Sequence, residues 1–162
     1  MNVAKMIADQ MTAYLLEGVI TNAVNFPSVS MEEMEQLRPY LNLAEKMGSM
    51  MGQLIRAPHD ITIDYSGDIT TLAMKPVTHA LLKGLLSSFT DKPINYVNAR
   101  EMAKSKGIGI KEVVTNTDSA FSSLIKFKIE ATDEKPDEIW GTIYEKKYPR
   151  LVRIGKVYLD AI

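Results

Sequence analysis

The 162-residue chain has no cysteine and only two histidines. Without cysteine it cannot form disulfides, thiolate nucleophiles or zinc sites with Cys ligands, and this composition suits a reducing compartment. We therefore expect a cytoplasmic protein. The histidines, His59 and His79, have no neighbouring ligand cluster, so no metal site is predicted. We expect His59 to be a solvated turn residue and His79 to lie in the exposed first turn of a helix.

Neither charge is in excess, since 19 basic and 20 acidic residues give a formal net charge of −1. Such a chain has no long-range field that would attract nucleic acid or an anionic membrane. A long apolar run is also missing at the N-terminus, where Lys5, Asp9 and Glu17 interrupt the apolar residues. This pattern is not that of a signal peptide or a membrane span. We expect a soluble protein that binds neither nucleic acid nor membranes.

The sequence offers no motif for cofactor binding or catalysis. Dinucleotide folds need glycines at a turn from strand to helix, where backbone amides approach the pyrophosphate. The nearest pattern, Gly107-Ile108-Gly109, follows a predicted helix and enters a strand, which is the wrong order. The paired serines lack the glycine-flanked elbow of a hydrolase nucleophile. We predict no catalytic and no cofactor-binding residue in this chain.

Helical periodicity is present in the first half of the chain. Apolar residues from Val3 to Tyr14 predict a helix over residues 2–17. A capping box of Ser30 and Glu33 predicts a short helix that Pro39 limits, and a second helix from Pro39 to about residue 55. A leucine-rich helix is predicted over residues 78–89, where Gly84 would permit close packing.

Alternating patterns of strands dominate the second half. Strands are predicted at residues 61–65, 95–97, 125–129 and 139–144, and as a hairpin over residues 152–161 with Gly155-Lys156 as its loop. Asn98 is expected to cap a helix that ends near Gly107. Helices gathered early and paired strands late predict an α+β fold, a mixed sheet with helices packed on it, preceded by one N-terminal helix.

The densest basic cluster gives the candidate anion-binding residues Lys146, Lys147, Arg150 and Arg153. The planar guanidinium of Arg150 suits a carboxylate or phosphate. Strand alternation predicts that Arg150 and Arg153 lie on opposite faces and do not act as a pair. The alternative is a charged hairpin tip that serves solubility alone.

Several separated motifs together resemble the D-3-phosphoglycerate dehydrogenase family. They are VAKMIADQMTAYLLEGVITNAVNFPSVS, PYLNLAEKMGSMMGQL, YSG, VTHALLKGLL, INYVNAREMAKSKGI, WGTIYEKKYPRLVRI and VYLDAI. The resemblance runs from about Val3 to Asp160 and implies three parts. Residues 1–20 would be the last helix of the catalytic core, 21–30 a linker, and 31–162 the intervening, allosteric substrate-binding domain. The family's C-terminal ACT domain would be absent, and its NAD site and catalytic residues would lie outside this chain.

The resemblance therefore implies a noncatalytic regulatory and assembly domain of an NAD-dependent enzyme of L-serine biosynthesis. Its implied partners are the rest of the parent polypeptide, further copies in a homo-oligomer, and a small anion or phosphorylated substrate near Arg150. The strand end after Leu159 carries no basic residue, which leaves that site incomplete by comparison with some relatives. The alternatives are the related β-domain of an iron–sulfur L-serine dehydratase and a free-standing interaction module.

Overall fold

The computed structural model describes residues 3–17, 30–55, 58–116, 120–130 and 137–159, with the side chains of residues 13–17 and 31 excepted. Four α-helices and six strands form an α+β fold with a mixed sheet, as predicted. The helices are α1 (Val3–Glu17), α2 (Met31–Leu54), α3 (Met74–Leu86) and α4 (Ala99–Ser105). The strands are β1 (Asp60–Gly67), β2 (Gly109–Val114), β3 (Ser123–Glu130), β4 (Glu138–Tyr144), β5 (Tyr148–Ile154) and β6 (Val157–Tyr158).

The sheet has the strand order β2-β1-β3-β4-β5-β6. Only β1 and β2 pair in parallel, and the segment between them forms a 3₁₀ helix (Asp68–Thr71), α3 and α4. All other pairs are antiparallel. One sheet face packs on the helices, so the strands alternate between buried apolar residues and residues on a second, more polar face.

A single long helix replaces the two that Pro39 was predicted to separate. Proline removes one backbone donor, but the capped start and a buried apolar stripe outweigh this loss. The Ser30 Oγ accepts the N–H of Glu33 at 3.2 Å, as in the predicted capping box. The Glu33 carboxylate instead accepts the N–H of Ala73 at 3.1 Å, which joins α2 to the start of α3. The stripe comprises Leu37, Tyr40, Leu43, Ala44, Met47 and Met51.

Helices α2 and α3 meet backbone against backbone at glycines. A Cβ on Gly84 would lie 2.0 Å from the carbonyl oxygen of Glu45, and one on Gly48 would lie 2.0 Å from that of Leu81. The prediction that Gly84 permits close packing is confirmed. Helix α2 also packs on the sheet, because a Cβ on Gly141 of β4 would meet the side chains of Met47 and Leu43. These contacts place the core between the helices and one face of the sheet.

The strand predicted at residues 95–97 is wrong. The Asn95 side chain accepts the backbone N–H groups of Val97 and Asn98 at 2.9 Å each, which makes an Asx turn. Asn98 stands at the N-cap position of α4, but its side chain accepts from the N–H of Asn95 and makes no capping bond. Gly107 follows α4 with φ 74°, the left-handed conformation expected there.

A polar network runs under the helices near the parallel edge of the sheet. The Tyr65 and Thr78 hydroxyls are 2.8 Å apart, Thr78 also donates to Glu112, and Arg100 lies 3.4 Å from the Glu112 carboxylate. His79 belongs to this region and is 6% exposed, so the expectation of an exposed first-turn residue is wrong. Burial raises the pKa of Tyr65 and lowers that of His79. Both groups are therefore held in their neutral forms.

Candidate anion-binding site

The four predicted anion-binding residues lie along the hairpin that joins β4 to β5. Lys146 and Lys147 are in its turn, and Arg150 and Arg153 are in β5. The Lys147 N–H donates to the Tyr144 carbonyl at 3.1 Å, which closes the turn. The four side chains lie in different environments.

Two consecutive turn residues have left-handed backbone conformations, Glu145 with φ 51° and Lys146 with φ 57°. Hairpin turns of this kind favour Asn-Gly or Asp-Gly, because glycine and asparagine tolerate positive φ. A non-glycine residue in this region costs of order 1 kcal/mol. Two charged residues therefore stand at positions where the backbone conformation favours asparagine or glycine.

A β-bulge changes which face Arg150 occupies. Arg153 lies opposite Trp140 and Leu151 lies opposite Gly141, so Val152 has no direct partner on β4. Arg150 lies opposite Thr142, two residues from Trp140 and therefore on the same face of β4. The prediction that the two arginines lie on opposite faces is wrong, because a bulge inserts one residue into the alternation. Both arginines lie on the face away from α2.

Sharing a face does not bring the two arginines to one site, because Arg153 is already occupied. Its Nε donates to the Gly155 carbonyl at 2.7 Å and its guanidinium is 3.7 Å from the Glu138 carboxylate. The guanidinium also lies over the rings of Trp140 and Tyr158, 4.4 and 5.2 Å from their centroids. These contacts fix Arg153 as a structural residue of the polar face.

Arg150 is differently placed. It is exposed, its Nη1 donates to the neighbouring Pro149 carbonyl at 3.1 Å, and it lies 5.8 Å from the centre of the Tyr148 ring. Within the described part of the chain no carboxylate lies within 4 Å of it. Its positive charge is therefore available to a ligand.

Arg150 lines a cavity of about 950 Å³ on the polar face. The walls come from the segment before β3, from the ends of β4 and β5, and from β6. The cavity contains one more charged residue, Glu145, together with hydroxyl groups and apolar surface. Its lining includes Phe121, Ser122, Thr142, Tyr144, Val152 and Tyr158. A site of this kind offers a guanidinium fork for an anion, and the hydroxyls of Ser122, Tyr144 and Tyr158 for its remaining oxygens. The Thr142 hydroxyl already donates to the Ser123 carbonyl.

Lys146 lines a second cavity, of about 410 Å³, at the end of the sheet beside α2. The other residues of this lining are Gln36, Tyr40, Asp68, Thr71 and Leu72. Lys147 lines neither cavity and extends over the Tyr148 ring at 5.4 Å. The predicted cluster is thus divided into one cavity with Arg150, one with Lys146, one occupied residue and one surface residue.

Sequence reasoning missed the partners that surround these cations. Thr142 lies opposite Arg150 across the β4–β5 hairpin, and Ser122 joins the same cavity because β3 pairs with β4. Asp68 reaches the second cavity from a turn far away in the chain. Asp68 follows the strand predicted at residues 61–65 and is not among the predicted site residues. The signal available in the sequence was Gly67, because glycine permits a positive φ, here 76°, that changes the direction of the chain before Asp68.

Comparison with known proteins identifies the relatives of this chain. Residues 36–155 match the family model described as the D-3-phosphoglycerate dehydrogenase intervening domain. D-3-phosphoglycerate dehydrogenase of Bacillus subtilis is 29% identical over 161 residues, which cover 99% of this chain and 30% of the relative. The enzyme of the same name from Synechocystis is 37% identical over 81% of this chain and 24% of the relative. That of Archaeoglobus fulgidus is 32% identical over 95% of this chain and 29% of the relative.

The chain thus spans less than a third of these curated relatives. Within the described ranges, no helix combines the length and apolarity needed to cross a bilayer. No group of three or more metal-ligating side chains occurs in the same ranges.

Proposed function

The chain belongs to the D-3-phosphoglycerate dehydrogenase intervening-domain family, and from this we propose that it is a noncatalytic regulatory and assembly domain of such an enzyme. It binds a small phosphorylated or carboxylate anion at Arg150. The parent enzyme carries out NAD-dependent oxidation of 3-phosphoglycerate in L-serine biosynthesis in the cytoplasm, and the NAD site and reacting groups belong to its other domains.

The observation that carries the anion site is the state of Arg150. Its guanidinium lines a large cavity and has no carboxylate partner among the described residues, whereas Arg153 on the same face is neutralised by Glu138. Both 3-phosphoglycerate and inorganic phosphate present the oxygens that a guanidinium fork binds in bidentate fashion. The adjacent hydroxyl groups complete the hydrogen bonding.

We also propose a division of the chain into three parts. Residues 1–20 contain the last helix of the preceding catalytic domain, α1, residues 21–30 are a linker, and 31–162 are the intervening domain. In support of this, the described core is built from residues between Met34 and Ile143, with no contribution from residues 3–12, the part of α1 whose side chains are described. Apolar side chains of α1 remain open, with Val3 65%, Ile7 50% and Met11 58% exposed. Such a face fits contact with another domain or with a second copy in a homo-oligomer.

The relatives reported above all bear the name of the dehydrogenase, which favours it over the β-domain of an iron–sulfur L-serine dehydratase and over a free-standing module. We expect no NAD-dependent oxidation of 3-phosphoglycerate by this chain, because no pyrophosphate cradle is present in its sequence. Turnover by the purified chain would contradict the noncatalytic assignment.

Calorimetric titration with 3-phosphoglycerate and with phosphate tests the anion site. We expect binding in the millimolar range or tighter, and a loss of roughly 10- to 100-fold in affinity for Arg150→Ala, as for one charge-assisted contact of about 1.5–3 kcal/mol. Lys147→Ala is the matched control, because it removes a neighbouring cation that lines neither cavity. If Arg150→Ala binds the anion as well as the unchanged chain does, the anion site at Arg150 is wrong and the charged hairpin serves solubility alone.

Glu145 gives a second test of the same cavity. It is the acidic residue of the lining and would repel a bound anion. Glu145→Gln should therefore strengthen anion binding by roughly two- to threefold in this solvent-exposed setting. Weaker binding would mean that Glu145 holds Arg150 in place rather than opposing the ligand.

A further inference from the structure

We propose that the second cavity, between the β4–β5 turn and the first half of α2, binds a small zwitterion such as an α-amino acid. Lys146 would hold its carboxylate and Asp68 its ammonium group. This site is separate from the Arg150 cavity, shares none of its lining residues, and does not depend on the function proposed above.

The charges of the cavity carry the argument. Lys146 and Asp68 are opposite in sign and line the same space, yet among the described residues neither is within 4 Å of any oppositely charged side chain. The two charges do not form a direct ion pair, so both are open to a ligand placed between them. A zwitterion satisfies both at once, whereas a simple anion or cation leaves one charge opposed to it.

Backbone geometry fixes both charged residues. Lys146 itself has φ 57°, and Asp68 follows Gly67, whose φ is 76°. A Cβ on Gly67 would lie 2.1 Å from the carbonyl oxygen of Ser122, and the next N–H, that of Asp68, donates to this same carbonyl at 2.8 Å. The backbone thus fixes the positions from which the two side chains extend.

The neutral residues complete the hydrogen bonding of a zwitterion. Gln36 offers both donors and an acceptor, and the Tyr40 hydroxyl can donate to a carboxylate. The Thr71 hydroxyl donates to the Asp68 carbonyl at 2.8 Å, which leaves its lone pairs for an ammonium group. Burial above all raises the pKa of Tyr40, the charge of Asp68 adds to the rise, and the Ser123 hydroxyl opposes it. The Tyr40 phenol therefore stays protonated and keeps a proton to donate.

The dimensions suit a small ligand. A volume of about 410 Å³ lies within the usual range of roughly 300–1,000 Å³ for small-molecule pockets. Leu72 supplies an apolar wall. Because Lys146, Asp68 and Gln36 are exposed, the cavity is open and we expect binding to be weak and fast.

Titration of the ¹⁵N-labelled 162-residue chain by NMR tests the proposal. The probes are glycine, acetate and methylammonium, added up to about 50 mM so that millimolar dissociation constants are reached. We expect glycine to shift the Gln36 side-chain amide and the backbone amides of Asp68, Thr71 and Lys146, and the single ions to shift them several-fold less. Equal shifts with acetate or methylammonium, or no shift with glycine, would overturn the zwitterion site.

Variants separate the two charges. Asp68→Asn and Lys146→Gln should each weaken glycine binding roughly tenfold or more, while Lys146→Arg retains it. Lys147→Gln and Arg150→Ala should leave it unchanged, because neither residue lines this cavity. Retained binding in both Asp68→Asn and Lys146→Gln, or loss in Arg150→Ala, would contradict the assignment. A chemical-shift spectrum of each free variant checks that it is folded before the titration.

Discussion

The contact between α2 and α3 and the β4–β5 turn follow opposite rules. Between the helices, Gly48 and Gly84 stand where a side chain cannot fit, so the sequence obeys the sterics. In the turn, Glu145 and Lys146 stand where glycine or asparagine would be more stable. Residues retained against backbone preference are expected where their side chains contribute something other than stability. The comparison thus locates function in the hairpin and stability in the helix pair.

The largest effect should come from adding one methyl group between the helices. Gly84→Ala places a Cβ 2.0 Å from a backbone oxygen of α2, so we expect a loss of about 3 kcal/mol in the free energy of unfolding, although alanine is the better helix former. Urea unfolding measures this loss.

Gly107→Ala is the contrasting control. A Cβ there meets nothing within 4 Å, and only its φ of 74° is unfavourable, so the expected loss is about 1 kcal/mol. Equal losses in the two variants would show that the helices separate easily to admit a side chain. The claim that sterics require glycine between α2 and α3 would then be wrong.

A smaller loss is expected from the polar network beneath α3. Thr78→Val removes the hydroxyl shared by Tyr65 and Glu112 and leaves the buried phenol without this partner. We expect a loss of about 1–3 kcal/mol in chemical unfolding. Thr62→Val, on the polar sheet face, should change stability by less than about 0.5 kcal/mol. A neutral Thr78→Val would mean that this network serves something other than stability.

The turn should respond in the opposite direction. Replacing Glu145 and Lys146 by Asn and Gly relieves two left-handed residues, and we expect a gain of about 1 kcal/mol together with the loss of ligand binding at Lys146. Lys147→Gly, where φ is not positive, should stabilise nothing. If the Asn-Gly turn is no more stable than the natural one, the two charged residues are not retained at a cost.

The smallest effect is a pH dependence centred on His79. Burial lowers its pKa below the ordinary 6.5, helped by Arg100 and Lys75 and opposed by the Tyr96 carbonyl and Glu112. The unfolded chain therefore binds a proton at higher pH than the folded one, so stability falls as the pH is lowered through 6.5. Urea unfolding between pH 7.5 and 5.5 should show this slope. His79→Gln should reduce it, whereas His59→Gln, which removes an exposed imidazole, should not.

Most of the architecture could be predicted from the sequence because periodicity reports burial directly. Alternation identified the strands that contain Ile63, Phe127 and Ile139, which are all fully buried. The errors occurred where a local rule met a stronger contact. Pro39 did not end its helix, because the buried stripe continues through it, and Asn95 formed a side-chain turn instead of a strand.

The candidate sites were less accessible to sequence reasoning. The cations near residue 150 were visible as a charge cluster, but their separation into two cavities depends on strand order and on one unpaired residue in β5. Asp68 is far from the cluster in sequence, and only the preceding Gly67 marks its segment. Thr142 is close to the cluster in sequence, but its place opposite Arg150 depends on the register of the β4–β5 hairpin. Such sites arise from pairing between distant segments, which a single sequence does not specify.

The bulge at Val152 also limits what can be transferred from one family member to another. The extra residue shifts the alternation of side chains between the two sheet faces for the part of β5 that precedes it. Arg150 therefore faces the cavity rather than α2. A relative with an arginine at the matching alignment column, but without the extra residue, would direct that arginine toward the helix side. An arginine at this alignment column is therefore insufficient evidence for a shared ligand. The relative must also have the bulge, so that the arginine lies on the same face of the sheet.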